Sequence, residues 1–67
     1  MNESKLRGRI REKFGTQEAF ADAIGMSHTT LSAKLNGKSE WKRQEIEDAC
    51  RLLGISAEEI PLYFFSL

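Results

Sequence analysis

The feature that most constrains the fold is a series of short apolar stripes with the spacing of α-helices. In the first of them, Leu6, Ile10 and Phe14 recur at i, i+4 and i+8, on one face of a helix that spans residues 4–14. No stretch alternates apolar and polar residues as a half-buried strand does. The pattern therefore predicts an all-α fold. Further stripes follow at residues 16–24, 27–35 and 43–53, and a fifth helical element begins at Ser56.

Residues that start and stop helices stand at the ends of these stripes. Thr16 and Ser27 have the side chains of N-caps, and Gly25 can adopt the left-handed conformation that ends a helix. Only residues 25–27 remain to connect the second helix to the third. Because two short helices joined so tightly cannot be collinear, we predict a helix-turn-helix.

The C-terminal part combines a helix start with a helix breaker. Ser56 and Glu59 have the spacing of a capping box, which places a helix start at Ser56. Pro61 lacks a backbone donor and disfavours the helical conformation of Ile60. We therefore expect one helical turn, a break at the proline, and then residues 62–67 as a separate short piece.

Length and composition exclude several classes of protein. The chain has 67 residues, of which 40% are hydrophobic and 30% charged, and this suits one globular domain of marginal stability over residues 1–67. Cys50 has no second cysteine to pair with, and one cysteine with one histidine cannot complete a tetrahedral metal site, so we expect neither metal nor cofactor. Since the sequence has no signal peptide and no apolar stretch approaching about 20 residues, we expect a cytoplasmic protein without membrane contact.

The charges are balanced in number but segregated along the chain. The formal net charge is zero, which is unusual for a DNA-binding domain. Residues 1–15 carry five Lys/Arg and two acids and residues 27–43 carry four and one, whereas residues 44–67 carry one and five. A basic face directed at phosphates and ordinary solvated charge explain this distribution equally well.

Several short segments of the sequence resemble those of one known family. They are TQEAFADAIGMS at residues 16–27, LSAKLNGK at residues 31–38, and GIS followed by EEI near residues 54–60. In their order and spacing they resemble the lambda-repressor-like, Cro-type helix-turn-helix family, and especially its small bacteriophage and prophage members. The resemblance implies a compact, all-α, five-helix lambda-repressor-like domain whose second and third helices form the helix-turn-helix, followed by a short C-terminal element broken by Pro61.

The resemblance also implies a function and a set of contact residues. It implies a transcriptional regulator that binds a pseudo-palindromic operator in double-stranded DNA as a homodimer. His28, Thr29 and Ala33 would face base edges, for which imidazole, hydroxyl and methyl groups are suited. Gln17 would bind a phosphate and brace the first recognition residue. The full set of DNA-contacting residues is Gln17, Ser27, His28, Thr29, Thr30, Ser32, Ala33, Asn36, Lys38, Lys42 and Arg43.

Some residues of this set have plainer explanations, and others depart from the family pattern. Lys42 and Arg43 are equally well explained as solvated charges. Lys34 and Leu35 stand where many family members have an aliphatic residue and then an acid. We expect Leu35 to take the core position and Lys34 to extend outward into solvent.

The last residues of the chain are strongly apolar. Three of the six aromatic residues lie within residues 62–67, which is too much apolar surface to leave exposed on a small domain. The segment either folds back over the first and fourth helices or forms a twofold interface with a second copy, and we expect different rings to serve each role. The residues predicted for a dimer interface are Tyr63, Phe64, Phe65 and Leu67.

Two classes of function remain beside DNA binding, and they differ in plausibility. An enzyme is not expected, because His28 has no nucleophile at a meaningful spacing and the sequence has no glycine-rich phosphate loop. For the same reason, no small-molecule ligand is expected. A protein-interaction module with the same fold, such as an antirepressor or an antitoxin-like partner, is the stronger alternative, and the neutral charge and aromatic tail favour it.

Overall fold

A computed structural model describes residues 3–65 of the chain, and every regular element within them is helical. The predicted all-α architecture of five helices, with no strand in this range, is therefore confirmed. The elements are α1 (Glu3–Phe14), α2 (Gln17–Ile24), α3 (His28–Leu35), α4 (Arg43–Leu53), a single 3₁₀ turn (Ala57–Glu59) and α5 (Ile60–Phe64).

The helix-turn-helix forms where the caps predict it. The Thr16 hydroxyl accepts a hydrogen bond from the amide of Ala19 at 3.1 Å, and the Ser27 hydroxyl accepts one from the amide of Thr30 at 3.0 Å. Gly25 closes α2 with a φ of +79°. A left-handed residue at this place turns the chain sharply, so only three residues lie between the end of α2 and the start of α3.

The core takes apolar side chains from all five helices. The Phe14 and Phe20 rings pack with their centroids 5.3 Å apart and link α1 to α2. Such a shared core is what allows helices of five to twelve residues to be stable together. The buried hydrophobic residues are Leu6, Ile10, Phe20, Ala21, Leu31, Leu35, Ala49, Cys50, Leu53, Ile55, Tyr63 and Phe64.

A charged side chain also connects the first helix to the fourth. The Arg9 guanidinium donates to the carbonyl oxygens of Leu53 at 2.9 Å and Gly54 at 3.1 Å. These carbonyls end α4, where the helix dipole favours a cation and the last carbonyls lack helical partners. The basic face of α1 is therefore partly structural, a role that charge patterning alone does not reveal.

The prediction of a break at Pro61 is wrong. Ile60 has helical angles, with φ −52° and ψ −48°, and α5 continues directly from the 3₁₀ turn through Pro61. Proline is tolerated here because it lies in the first turn of α5, where a backbone donor would have no helical partner. The capping box before it is confirmed, since Glu59 accepts hydrogen bonds from the amide and the hydroxyl of Ser56 at 3.1 Å each.

The aromatic tail divides between core and surface. Tyr63 and Phe64 are buried, and the Lys5 ammonium lies 5.0 Å from the centre of the Tyr63 ring. Leu62 and Phe65 are 50% and 51% exposed. Of the predicted dimer-interface residues, Tyr63 and Phe64 thus serve the core of their own chain and Phe65 is available to a partner, while Leu67 lies outside the described residues.

Gly8 lies inside α1 with open space around it, and a methyl group added there would meet no atom within 4 Å. We expect Gly8→Ala to stabilise the fold by about 0.5–1 kcal/mol, because alanine restricts the unfolded chain and favours the helix. Gly25→Ala is the matched control, since its surroundings are equally open but its φ is +79°. Urea unfolding should show opposite signs for the two variants, and a destabilised Gly8→Ala would contradict the expectation.

Within residues 3–65, no helix is long and apolar enough to cross a membrane. The same residues contain no group of three or more His, Cys, Asp or Glu side chains placed to hold a metal ion.

Candidate functional site

A concavity with polar and apolar lining residues lies between α2 and α3. We call it the α2–α3 groove, and its volume is about 510 Å³. It brings together seven of the eleven residues predicted to contact DNA. Its lining residues are Gln17, Glu18, His28, Thr29, Leu31, Ser32, Ala33, Asn36 and Lys38.

The four remaining residues of the predicted set lie outside this groove. Ser27 caps α3 and donates from its hydroxyl to the hydroxyl of Thr30 at 2.8 Å. Lys42 is the N-cap of α4. The Arg43 side chain is 93% exposed and pairs with Glu47 at 3.5 Å. Contact of any of the eleven residues with DNA stays a prediction.

The groove does not have a basic lining. Glu18 lies in it together with Lys38, so their charges compensate. The imidazole of His28 is 3.3 Å from the carboxylate of Asp22, and the side-chain oxygen of Asn36 accepts a hydrogen bond from the Arg7 guanidinium. Two residues predicted to read or hold DNA therefore have partners within the chain, and two exposed carboxylates border the position where phosphates would approach.

A second candidate surface is formed by exposed apolar residues near the end of the described chain. Leu62 on α5 and Phe65, the C-cap that follows this helix, are both half exposed, and we call them the α5 patch. Phe65 also lines a neighbouring concavity of about 300 Å³, the tryptophan groove. Its other lining residues are Gly37, Ser39, Glu40, Trp41, Ile46 and Phe64.

Trp41 lines the tryptophan groove and packs against a second aromatic residue of its lining. Its ring packs edge to face on Phe64, with the centroids 5.2 Å apart and the planes at 82°. Its indole N–H is buried and has no hydrogen-bond partner among the described residues. No hydrogen bond of its own fixes this ring, so its position depends on packing and on the backbone that carries it.

The expectation that Lys34 extends into solvent is wrong. Its side chain is 4% exposed, and its ammonium lies 2.9 Å from the Glu45 carboxylate. The neighbouring Leu35 is fully buried, as expected. Lys34 stands three residues after Leu31 on the apolar stripe of α3, and this position is the sequence signal for its burial.

The partner of Lys34 is a glutamate with a perturbed pKa. Burial raises the pKa of Glu45, but the hydrogen bond from the Lys42 amide, at 2.8 Å, and the nearby Lys34 ammonium outweigh it, so the pKa lies below its ordinary value. Glu45 is therefore ionised in the folded chain at neutral pH.

This lowered pKa predicts a pH dependence of stability. A carboxyl with a depressed folded-state pKa stabilises the fold above its unfolded pKa, and that contribution is lost as the pH falls from about 4.3 through the folded value. We expect Glu45→Gln to reduce the loss of unfolding free energy between pH 7 and pH 3. Urea unfolding at several pH values checks this, and identical pH profiles for variant and native chain would contradict it.

Comparison with known proteins gives the family of the chain. A family model described as "Protein of unknown function (DUF739)" matches residues 1–67. The chain belongs to the DUF739 family. No curated protein matches its sequence.

The DUF739 chain is also similar to a solved structure. This is the solution structure of the modulator of repression (MOR) of the temperate bacteriophage TP901-1 from Lactococcus lactis. The two are 48% identical, with a TM-score of 0.86, over 97% of this chain and 88% of the other.

These matches overturn the resemblance on which the DNA-contacting residues were chosen. The assignment to the lambda-repressor-like, Cro-type family is wrong, because the family model covering this DUF739 chain is a different one and the similar structure is a modulator of repression. The sequence segments that suggested the Cro-type family contain helix caps, a glycine turn and buried core residues. Those features specify a helix-turn-helix and carry no information on what binds to it.

Proposed function

We propose that this chain is a regulator of phage repression that acts by binding a repressor protein. It would act by association alone, without catalysis and without a cofactor. The observation that carries the proposal is the 48% identity to a phage modulator of repression over nearly the whole chain. At that identity and a TM-score of 0.86, the two molecules share their fold and about half of their side chains.

The α5 patch is the surface best suited to hold such a partner. Leu62 and Phe65 are the large hydrophobic residues that the described chain leaves exposed. Leu62 lies on α5 and Phe65 directly follows it, and the residues between them, Tyr63 and Phe64, are buried in the core. Aromatic and aliphatic side chains presented on a rigid support are typical anchors of protein interfaces, because little entropy is lost when they bind.

The charges around this patch favour a basic partner. Glu40 lines the adjoining groove, and Glu58 and Glu59 precede α5 in the 3₁₀ turn. Residues 44–67 carry five acids and one basic residue. A repressor that binds DNA must itself present cations. Complementary charge would therefore speed the encounter and align the two proteins.

Competition for an operator tests the proposal. The chain is titrated into a fluorescent operator duplex held by the repressor of the phage or prophage that encodes it. We expect the anisotropy to fall as the repressor leaves the DNA, and isothermal titration to show a complex of the two proteins. If micromolar chain neither binds the repressor nor alters operator occupancy, the proposal is wrong.

Direct DNA binding is the second candidate, because the α2–α3 groove gathers seven residues of the predicted set. Anisotropy on a random duplex without repressor separates the two. A DNA-binding chain must show affinity that falls steeply with salt. We expect no such signal even at low salt, since Glu18 and Asp22 border the groove.

A further inference from the structure

The Lys34–Glu45 ion pair, in which the lysine is buried and the glutamate is partly exposed, contacts the segment that carries Trp41 into the tryptophan groove. Besides its ion pair, the Lys34 ammonium donates a hydrogen bond to the Glu40 carbonyl oxygen at 2.8 Å. The Glu45 carboxylate in turn accepts the Lys42 amide at 2.8 Å. One pair of charges thus holds the backbone on both sides of Trp41, at the carbonyl of the residue before it and the amide of the residue after it.

The first half of the same loop is held in another way. The amides of Gly37, Lys38 and Ser39 donate to backbone carbonyls of Ala33 and Lys34, at 2.9–3.3 Å. These are the bonds of an ordinary helix end and depend little on side chains. The second half, which carries Trp41, takes its position from the Lys34 ammonium and the Glu45 carboxylate.

Stability alone does not explain an ion pair with a buried lysine. Removing the Lys34 ammonium from water, and the Glu45 carboxylate in part, has a cost that offsets much of their attraction, and apolar residues of similar size often stabilise a fold equally well. What the pair provides here is a defined backbone position. Trp41 needs one because its buried indole N–H has no partner among the described residues that would fix the ring.

We propose that Lys34 is a positioning residue: through Glu40 and Glu45 it sets Trp41 in the tryptophan groove, and thereby the shape of the surface that receives the partner. The statement about the surface that receives the partner rests on the proposed function. The statement that Lys34 positions Trp41 concerns the free chain alone. A lysine that does not touch the partner then controls the affinity for it.

The test uses the Lys34→Met/Glu45→Gln double variant. This change removes both charges together and keeps an oxygen that can accept the Lys42 amide. The matched control is Lys13→Met/Glu47→Gln, which removes the same charges from exposed positions outside both grooves. Trp41 is the one tryptophan of the sequence, so its indole N–H gives a single NMR signal in the free chain.

We expect the double variant to remain folded and to melt cooperatively, with a shifted Trp41 indole signal and a repressor affinity at least ~10-fold lower. The control should leave the Trp41 indole signal in place and change the repressor affinity by no more than about twofold. A merely stabilising pair would lower the melting temperature and leave the indole signal in place. That outcome overturns the proposal.

Three further outcomes are decisive. If the double variant does not fold, Lys34→Arg keeps the charge and changes only its reach, and an unmoved indole signal in that variant contradicts the proposal. If the native chain binds no repressor, the proposed function fails, and the indole signal still decides whether Lys34 positions Trp41. A shifted signal with unchanged affinity refutes the link to the docking surface.

Discussion

The Leu62→Ser/Phe65→Ser double variant is expected to bind the repressor at least ~100-fold more weakly than the native chain while keeping its fold. Interface anchors of this kind typically contribute 2 kcal/mol or more each, and about 1.4 kcal/mol corresponds to a tenfold change in affinity. The fold should survive because both side chains are half exposed, whereas Tyr63 and Phe64 remain to hold α5. Isothermal titration and far-UV circular dichroism measure the two quantities.

The control for this variant lies on the other surface. His28→Ala/Thr29→Ala changes two exposed residues of the α2–α3 groove and leaves the α5 patch intact. We expect it to bind the repressor like the native chain. Loss of binding in this control, with normal binding by the α5 variant, would place the docking surface at the helix-turn-helix instead. Sedimentation equilibrium on both variants shows whether a second copy of the chain occupies the patch.

Phe20→Ala is expected to unfold the domain at room temperature or to leave it barely stable. Phe20 is fully buried and packs on Phe14, and removing such a ring costs about 3–5 kcal/mol. A chain of 67 residues has little more stability than that to lose. Thermal unfolding followed at 222 nm checks the prediction. Phe20→Leu retains most of the volume and should remain folded, and a cooperative Phe20→Ala transition near that of the native chain would be inconsistent with this account.

The parts of the fold that the sequence predicts are those determined locally. Thr16, Gly25 and Ser27 act through hydrogen bonds and dihedral angles within a few residues, so the helix-turn-helix can be read directly. The same local reading fails at Pro61, because the penalty on Ile60 depends on where in a helix the proline lies. The same proline breaks a helix when it lies in the interior and is tolerated when it lies in the first turn, and the local sequence does not distinguish the two positions.

The candidate site is less predictable, because burial there depends on residues far apart in the sequence. The apolar stripe of α3 indicates burial at position 34, but no spacing rule predicts the Glu45 carboxylate and the Glu40 carbonyl oxygen that receive the Lys34 ammonium there. Contacts between residues far apart in the sequence also decide which residues of the aromatic tail are buried and which are exposed. Tyr63 and Phe64 meet the core because α5 packs on α1, and only the assembled fold shows that Leu62 and Phe65 do not.

The segment of α5 and its C-cap buries Tyr63 and Phe64 in the core and carries Leu62 and Phe65, the surface proposed to bind a partner. Local opening of this segment would expose Tyr63 and Phe64 to proteases at the same time as it removes the docking surface. A bound partner opposes that opening by mass action. On the proposed function, the concentration of the repressor should therefore set the lifetime of this chain, with unbound copies degraded first and bound copies persisting.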